Sequence, residues 1–168
     1  QISPASITKV VTALVLLDFF DITDSITISL PDNYQYVGKV AYLESGKNIT
    51  IEDLLEFLLI YSANDAAYVA AMASTGSIES FVVEMNNKTD SLGMKNTTFL
   101  NPDGLDQLGH TTTLRDLLAM SLKFIENNRL MSIASKKSFS SDITGIEKIY
   151  YSTNEIIDEG FIGIKTGW

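Results

Sequence analysis

The stretch that most constrains this chain is Ser3-Pro4-Ala5-Ser6-Ile7-Thr8-Lys9-Val10-Val11-Thr12-Ala13-Leu14-Val15-Leu16-Leu17. It reads as a helix with a marked start. Ser3 stands where an N-cap belongs, and Pro4 suits the first helical position, where a missing N–H costs nothing. The residues that follow are apolar on almost every side, so the helix is expected to be buried all round. Ser6 and Lys9 are the exceptions, and a spacing of three places them on one face. A lysine on the wall of a buried helix is costly unless it has a partner or a task.

That placement suits a nucleophile and its base. N–H groups in a first helical turn lack intrahelical partners, so the Ser6 amide can donate to an oxyanion, and the helix dipole favours negative charge there. Lys9 can take the serine proton only as the neutral amine. Lowering a lysine pKa from about 10.4 to about 7 needs roughly 4–5 kcal/mol of differential interaction. Burial together with a second nearby cation supplies such a shift, so another positive group is expected close by. Ser-x-x-Lys is a weak pattern alone, and a capped core helix gives the same string.

Composition narrows the alternatives. A 168-residue chain with 45% hydrophobic residues has about one domain's worth of core. Its net charge of −9 argues against nucleic acid and anionic membrane surfaces as partners. Cysteine is absent and His110 is the sole histidine, which excludes disulfides, thiolate chemistry and Cys- or His-rich metal sites. The apolar run Val10–Phe20 is too short to span a bilayer and is interrupted by Thr12 and Asp18.

Along the chain, Asp21–Asp24 reads as a turn and Ser25–Leu30 as a short half-buried strand. Pro31–Gly46 is a polar and aromatic loop. Thr50, with Asp53 at the capping-box position, opens an apolar helix that stops at Tyr61-Ser62-Ala63-Asn64-Asp65. Helices are expected over about Ala66–Ala73, Ile78–Leu92, from a cap at Thr111 or Thr112 to about Glu126, and Leu130–Ala134. The last third changes to strands: Lys136–Phe139, Glu147–Ser152 and Phe161–Thr166. Helices first and strands after suggest α+β or a mixed layered fold.

Three short motifs then fall in order: Ser6-x-x-Lys9, Ser62-Ala63-Asn64 and Lys165-Thr166-Gly167. This set is that of penicillin-binding proteins and class A β-lactamases. The wider chain resembles the serine D-alanyl-D-alanine carboxypeptidases, the low-molecular-mass penicillin-binding proteins of peptidase family S11. The similarity is carried by Pro4 to Ala13, by Ser62-Ala63-Asn64-Asp65-Ala66-Ala67, by Asn101-Pro102 with Gly104-Leu105, by Arg115-Asp116-Leu117 and by Gly163-Ile164-Lys165-Thr166-Gly167.

The resemblance implies a β-lactamase/transpeptidase-like fold, an antiparallel sheet flanked by helices, with residues 1–168 a partial catalytic domain. It implies a serine-type D-Ala-D-Ala carboxypeptidase that removes the terminal D-alanine of peptidoglycan stem peptides, is acylated by β-lactams, uses no cofactor or metal, and works in the bacterial cell envelope. Ser6 would be the nucleophile, Lys9 its base, and Ser62 a proton relay to the leaving amine. Asn64 would hold substrate amides or Lys9. Lys165, as a standing cation, and Thr166 would take the substrate carboxylate. Gly167 would let its strand approach the Ser6 helix, and the N–H groups of Ser6 and Trp168 would form the oxyanion hole. The same resemblance makes His110 a packing residue rather than a triad member, keeps Ser152-Thr153-Asn154 structural, and leaves Asp103 and Asp106 as turn formers.

Three rival readings share these motifs: a DD-endopeptidase, a class A-like β-lactamase and a non-catalytic penicillin-binding sensor. The β-lactamase needs a glutamate for its deacylating water, and none lies between Asn96 and His110. The family also has strands before the Ser6 helix and strands and a helix after Lys-Thr-Gly, which this sequence does not contain. The 168-residue chain alone is therefore expected to be poorly stable or inactive.

Overall fold

A computed structural model describes residues 1–159 and 164–167. Helix α1, Thr8–Phe19, runs through the middle, with every residue from Thr8 to Leu16 buried. The expectation of burial on all sides holds. The predicted start does not: α1 is preceded by a 3₁₀ turn, Ala5–Ile7, and the Ser3 hydroxyl donates to Asp106 Oδ1 at 2.5 Å instead of capping the helix. Pro4 is αR and Ala5 is left-handed, at φ +47°. A positive φ at a residue with a Cβ costs on the order of 1–3 kcal/mol, and here the surrounding packing imposes it.

The reason is Gly104. A Cβ there would lie 2.0 Å from the Ala5 carbonyl oxygen and 3.0 Å from Thr8 Oγ1. The loop backbone therefore rests directly on the turn that carries Ser6, which only a glycine permits. Side chains of α1 fasten the same loop: Thr12 Oγ1 donates to Pro102 O at 2.6 Å, and Thr8 Oγ1 pairs with His110 Nε2 at 2.9 Å.

Strands β1 (Ser25–Thr27) and β2 (Asn48–Thr50) pair antiparallel, Ile26 opposite Ile49. Thr50 then caps α2, Ile51–Glu56, by accepting the Asp53 N–H at 3.0 Å, as the capping-box reading requires. The last turn of this helix, Phe57–Tyr61, winds as a π-helix and ends at Ser62, itself left-handed at φ +68°. One continuous α-helix was the simpler expectation. The wider turn seats Phe57 and Tyr61 against the opposite sheet: Phe57 meets Phe139 and Tyr150 edge-on at 4.9 and 4.8 Å, and Tyr61 meets Tyr150 at 4.9 Å.

Helices α3 (Asn64–Thr75) and α4 (Ile78–Ser91) follow, and alanines on α3 let it pack closely on α1. Helix α5 (Leu114–Ile125) is capped by Thr113; Thr112 is instead fully buried and bonded to Thr97. Asn127 caps α6, Asn128–Ala134. Strands β3 (Ser138–Ser141) and β4 (Lys148–Tyr151) pair antiparallel. Among the described residues, strand pairing beyond isolated bridges is confined to these two ladders. Of the predicted strand Phe161–Thr166, residues 161–163 lie outside the described residues, and Ile164–Thr166 carry no regular structure. No single helix among the described residues is long and apolar enough to cross a membrane.

Candidate active site

The N-terminal turn, the π-turn and the segment before Gly167 converge on one cleft of about 300 Å³, lined by Ser6, Lys39, Ser62, Asn64, Asp103 and Thr166, among others. Lys9 lies beneath it, fully buried. Its ammonium makes three hydrogen bonds, to Asp103 O at 2.6 Å, Asn64 Oδ1 at 2.8 Å and Ser6 Oγ at 3.1 Å.

The chemistry follows from counting protons. A protonated lysine has three N–H donors and satisfies all three acceptors. The neutral amine keeps two, and the Asp103 carbonyl and Asn64 Oδ1 accept only. The lone pair is then left facing Ser6 Oγ, within reach for proton transfer. Burial lowers the Lys9 pKa to about 8, against the opposing pull of the Asp103 and Asp65 carboxylates. Desolvation is the leading cause, and the positive group expected close by is Lys165, which lies near enough to Lys9 for the two charges to repel.

Ser62 follows the π-turn, buried at the cleft wall. Asn64 is held at both ends: its Nδ2 donates to Val37 O at 2.8 Å, and its backbone N–H donates to Lys39 O at 2.7 Å. Its Oδ1 therefore points at Lys9 by constraint. Asp65, next along, is fully buried and accepts the N–H groups of Ala41 and Leu43 at 3.0 and 2.9 Å. The Ser62-Ala63-Asn64-Asp65 string thus both lines the cleft and fastens the loop that roofs it.

Lys165 reaches the site, but its state differs from expectation. Its Nζ donates to Thr166 O at 2.9 Å. Burial, then repulsion from Lys9 and Lys39, pushes its pKa down to about 7, so without a bound anion it is only partly protonated at neutral pH. Thr166 donates to Thr153 Oγ1 at 2.7 Å, which gives the second Ser-x-Asn stretch a direct tie to the cleft. A Cβ on Gly167 would sit 3.0 Å from Ile7 Cγ1 and 3.2 Å from Pro4 O, the close approach predicted for it. Trp168 lies outside the described residues.

His110 is a packing residue. Its Nδ1 accepts the Leu100 N–H at 3.0 Å, so Nε2 carries the proton and donates to Thr8. Asp116 accepts Asn96 N–H and Thr97 Oγ1–H, both at 2.8 Å, and forms no triad with it. Two site residues escaped sequence reasoning. Lys39 stands 4.2 Å over the Tyr61 ring at the cleft wall, and the Asp103 main-chain carbonyl is the shortest partner of Lys9. Neither belongs to a motif, and a carbonyl direction leaves no mark in sequence.

The family model for D-alanyl-D-alanine carboxypeptidases, peptidase S11, matches residues 1–168. The D-alanyl-D-alanine carboxypeptidase DacF of Bacillus subtilis is 30% identical over 176 residues, covering 100% of this chain and 45% of the relative. The chain thus spans about half the length of that relative. The crystal structure of a D-alanyl-D-alanine carboxypeptidase from Mycobacterium tuberculosis superposes with a TM-score of 0.88 at 29% identity, covering 99% of this chain and 64% of that one. Penicillin-binding protein D2 of Listeria monocytogenes, in its cefotaxime-bound form, gives a TM-score of 0.78 at 29% identity, covering 98% and 68%. The fold is accordingly that of the penicillin-binding proteins.

Proposed function

The chain belongs to the D-alanyl-D-alanine carboxypeptidase family, peptidase S11, and from that premise we propose that it is the core of a serine-type D-Ala-D-Ala carboxypeptidase acting on peptidoglycan stem peptides outside the cytoplasm. The observation that carries this reading is the three-way clamp on Lys9, which aims its lone pair at Ser6 once one proton is lost.

In this reading Ser6 Oγ attacks the carbonyl carbon of the terminal peptide bond as Lys9 takes its proton. The tetrahedral oxyanion collapses, the C–N bond breaks, and the departing D-alanine amine receives a proton by way of Ser62. Water then cleaves the Ser6 ester, with Lys9 again serving as base. A β-lactam opens on the same serine, but its amine stays tethered, so the acyl-enzyme persists.

The substrate carboxylate, arriving at Lys165 and Thr166, stabilises the Lys165 ammonium and raises its pKa, which reconciles a depressed Lys165 in the empty site with a role in carboxylate recognition.

The test is intact mass after incubation with benzylpenicillin, beside D-alanine release from a peptide ending in D-Ala-D-Ala. One penicilloyl adduct, lost in Ser6→Ala, with D-alanine released by the wild type alone, is the expected result. An adduct that survives Ser6→Ala overturns the assignment. A stable adduct without D-alanine release would point to the sensor instead, and cleavage only of cross-linked peptides to an endopeptidase.

A further inference from the structure

Among the described residues, three that carry a Cβ are left-handed: Ala5, Tyr42 and Ser62. Such backbone is disfavoured for L side chains, and it gathers at active sites and ligand clamps. Ala5 precedes the nucleophile and Ser62 is the proposed proton relay, so both belong to the catalytic cleft. Tyr42, at φ +61°, has no part in the chemistry.

The cause of its conformation is Asp65. That carboxylate is fully buried and takes the N–H groups on either side of Tyr42, Ala41 through Oδ1 at 3.0 Å and Leu43 through Oδ2 at 2.9 Å. Ala41 and Leu43 are themselves buried. The backbone is therefore anchored on both sides while the Tyr42 side chain is carried outward, 64% exposed. Glycine or asparagine is what this backbone favours, and core packing gives no reward for an exposed ring. A strained position that keeps a large exposed aromatic points to a ligand outside the molecule.

Tyr42 is one of a pair. Its ring lies 5.4 Å from that of Tyr36, with the planes 33° apart. Tyr36 is also exposed, and it is held by an edge-on contact with Tyr34 at 5.0 Å and by its Oη, which donates to Leu43 O at 3.4 Å. The segment between the two tyrosines supplies Gly38 and Lys39 to the catalytic cleft. Tyr36 is two residues from Gly38 and Tyr42 three from Lys39, so the rings stand within about 7 and 11 Å of the cleft wall along the chain. Three residues of an extended peptide span about 10 Å, so what meets these rings is joined to the reacting peptide a few residues from the scissile bond.

The charges of the loop say what kind of group that is. Lys39 is engaged over the Tyr61 ring at 4.2 Å, and Glu44 is paired with Lys47 at 3.0 Å. Burial, then the Asp65 and Glu44 carboxylates, hold the Tyr36 phenol above its usual pKa, so it is neutral. The surface therefore offers aromatic faces rimmed by hydroxyls and no free charge. That suits an uncharged ring with C–H faces and hydroxyl edges, as in a pyranose, better than an ionic side chain.

We propose that Tyr36 and Tyr42 form a platform for an uncharged N-acetylhexosamine of the glycan strand to which the stem peptide is joined. The proposal rests on the DD-peptidase reading, and it makes that enzyme selective for stem peptides still attached to their sugars.

The test compares kcat/KM for D-alanine release by the full-length protein from two substrates. One is a stem peptide ending in D-Ala-D-Ala and linked to the N-acetylglucosaminyl-N-acetylmuramyl disaccharide; the other is the same peptide with an acetyl group in place of the sugars. The wild type is expected to prefer the glycosylated substrate by at least about fivefold, and the preference to fall towards one in Tyr36→Leu and in Tyr42→Gly. Tyr42→Gly also relieves the left-handed backbone, so its urea midpoint should stand at or above that of the wild type, with turnover of the acetylated peptide unchanged. Equal kcat/KM for the two wild-type reactions overturns the platform alone, as does a preference undiminished in the variants. A Tyr42→Gly variant that slows both substrates equally makes the ring a structural element and overturns it too. No D-alanine from either substrate overturns the peptidase reading, and the platform with it.

Discussion

Replacing Asn64 by aspartate tests the base directly. Asn64 Oδ1 lies 2.8 Å from Lys9 Nζ. A carboxylate of the same shape puts a negative charge at that distance. At an effective dielectric of about 20 the attraction is about 6 kcal/mol, equivalent to about 4 pKa units on Lys9. Desolvation of the new carboxylate, and its clash with the Val37 carbonyl that now accepts Nδ2–H, take back part of this. A rise of at least about 2 units remains after that discount. Lys9 then moves from about 8 to about 10 or above. At pH 7 its neutral fraction falls from about one in ten to about one in a thousand, so acylation slows about 100-fold. The assay is the rate of penicilloyl-adduct formation, by intact mass, from pH 6 to pH 10.5. The signature is recovery at high pH, which a merely misfolded variant does not show. A variant slowed equally at every pH, or one with its rate limb still near 8, would refute the assignment of Lys9 as base.

Other outcomes follow from the same geometry. In the wild type, acylation should rise about fivefold between pH 7 and pH 8 as Lys9 deprotonates, and a profile flat over that range would contradict the buried-base reading. The folded Lys9 binds its proton more weakly than the unfolded one, so the unfolded state holds more protons between about 8 and 10.5 and stability should rise with pH across that window. Lys9→Met should abolish its share, of order 3 kcal/mol, in urea melts taken at both ends of the window. Gly104→Ala forces a Cβ to 2.0 Å from the Ala5 carbonyl at φ +87°, and should cost at least about 2 kcal/mol in a urea melt and displace Ser6 enough to slow acylation. Thr50→Ala removes a cap remote from the cleft; it should lower stability by about 1 kcal/mol with the acylation rate unchanged.

Periodicity, caps and motif order made much of this protein legible in its sequence. The buried α1 and the Thr50 cap are local properties, encoded by adjacent residues, and they appear where expected. The three motifs also named most of the cleft, because the chemistry demands those residue types. Tertiary contacts decided the rest. Ser3 gave up its cap because Asp106, 103 residues away, offered its hydroxyl a carboxylate. Ala5 took a left-handed conformation because the Gly104 backbone presses on it. The end of α2 opened into a π-turn where its aromatic residues meet Phe139 and Tyr150. Lys165 was nameable from sequence as a cation of the site, but its charge was not, because a buried amine's proton depends on desolvation and on the cations facing it. Sequence by itself determined which groups could do the chemistry. Only the fold determined which of them are charged and where the Lys9 lone pair points, because each depends on distances between residues far apart in the chain.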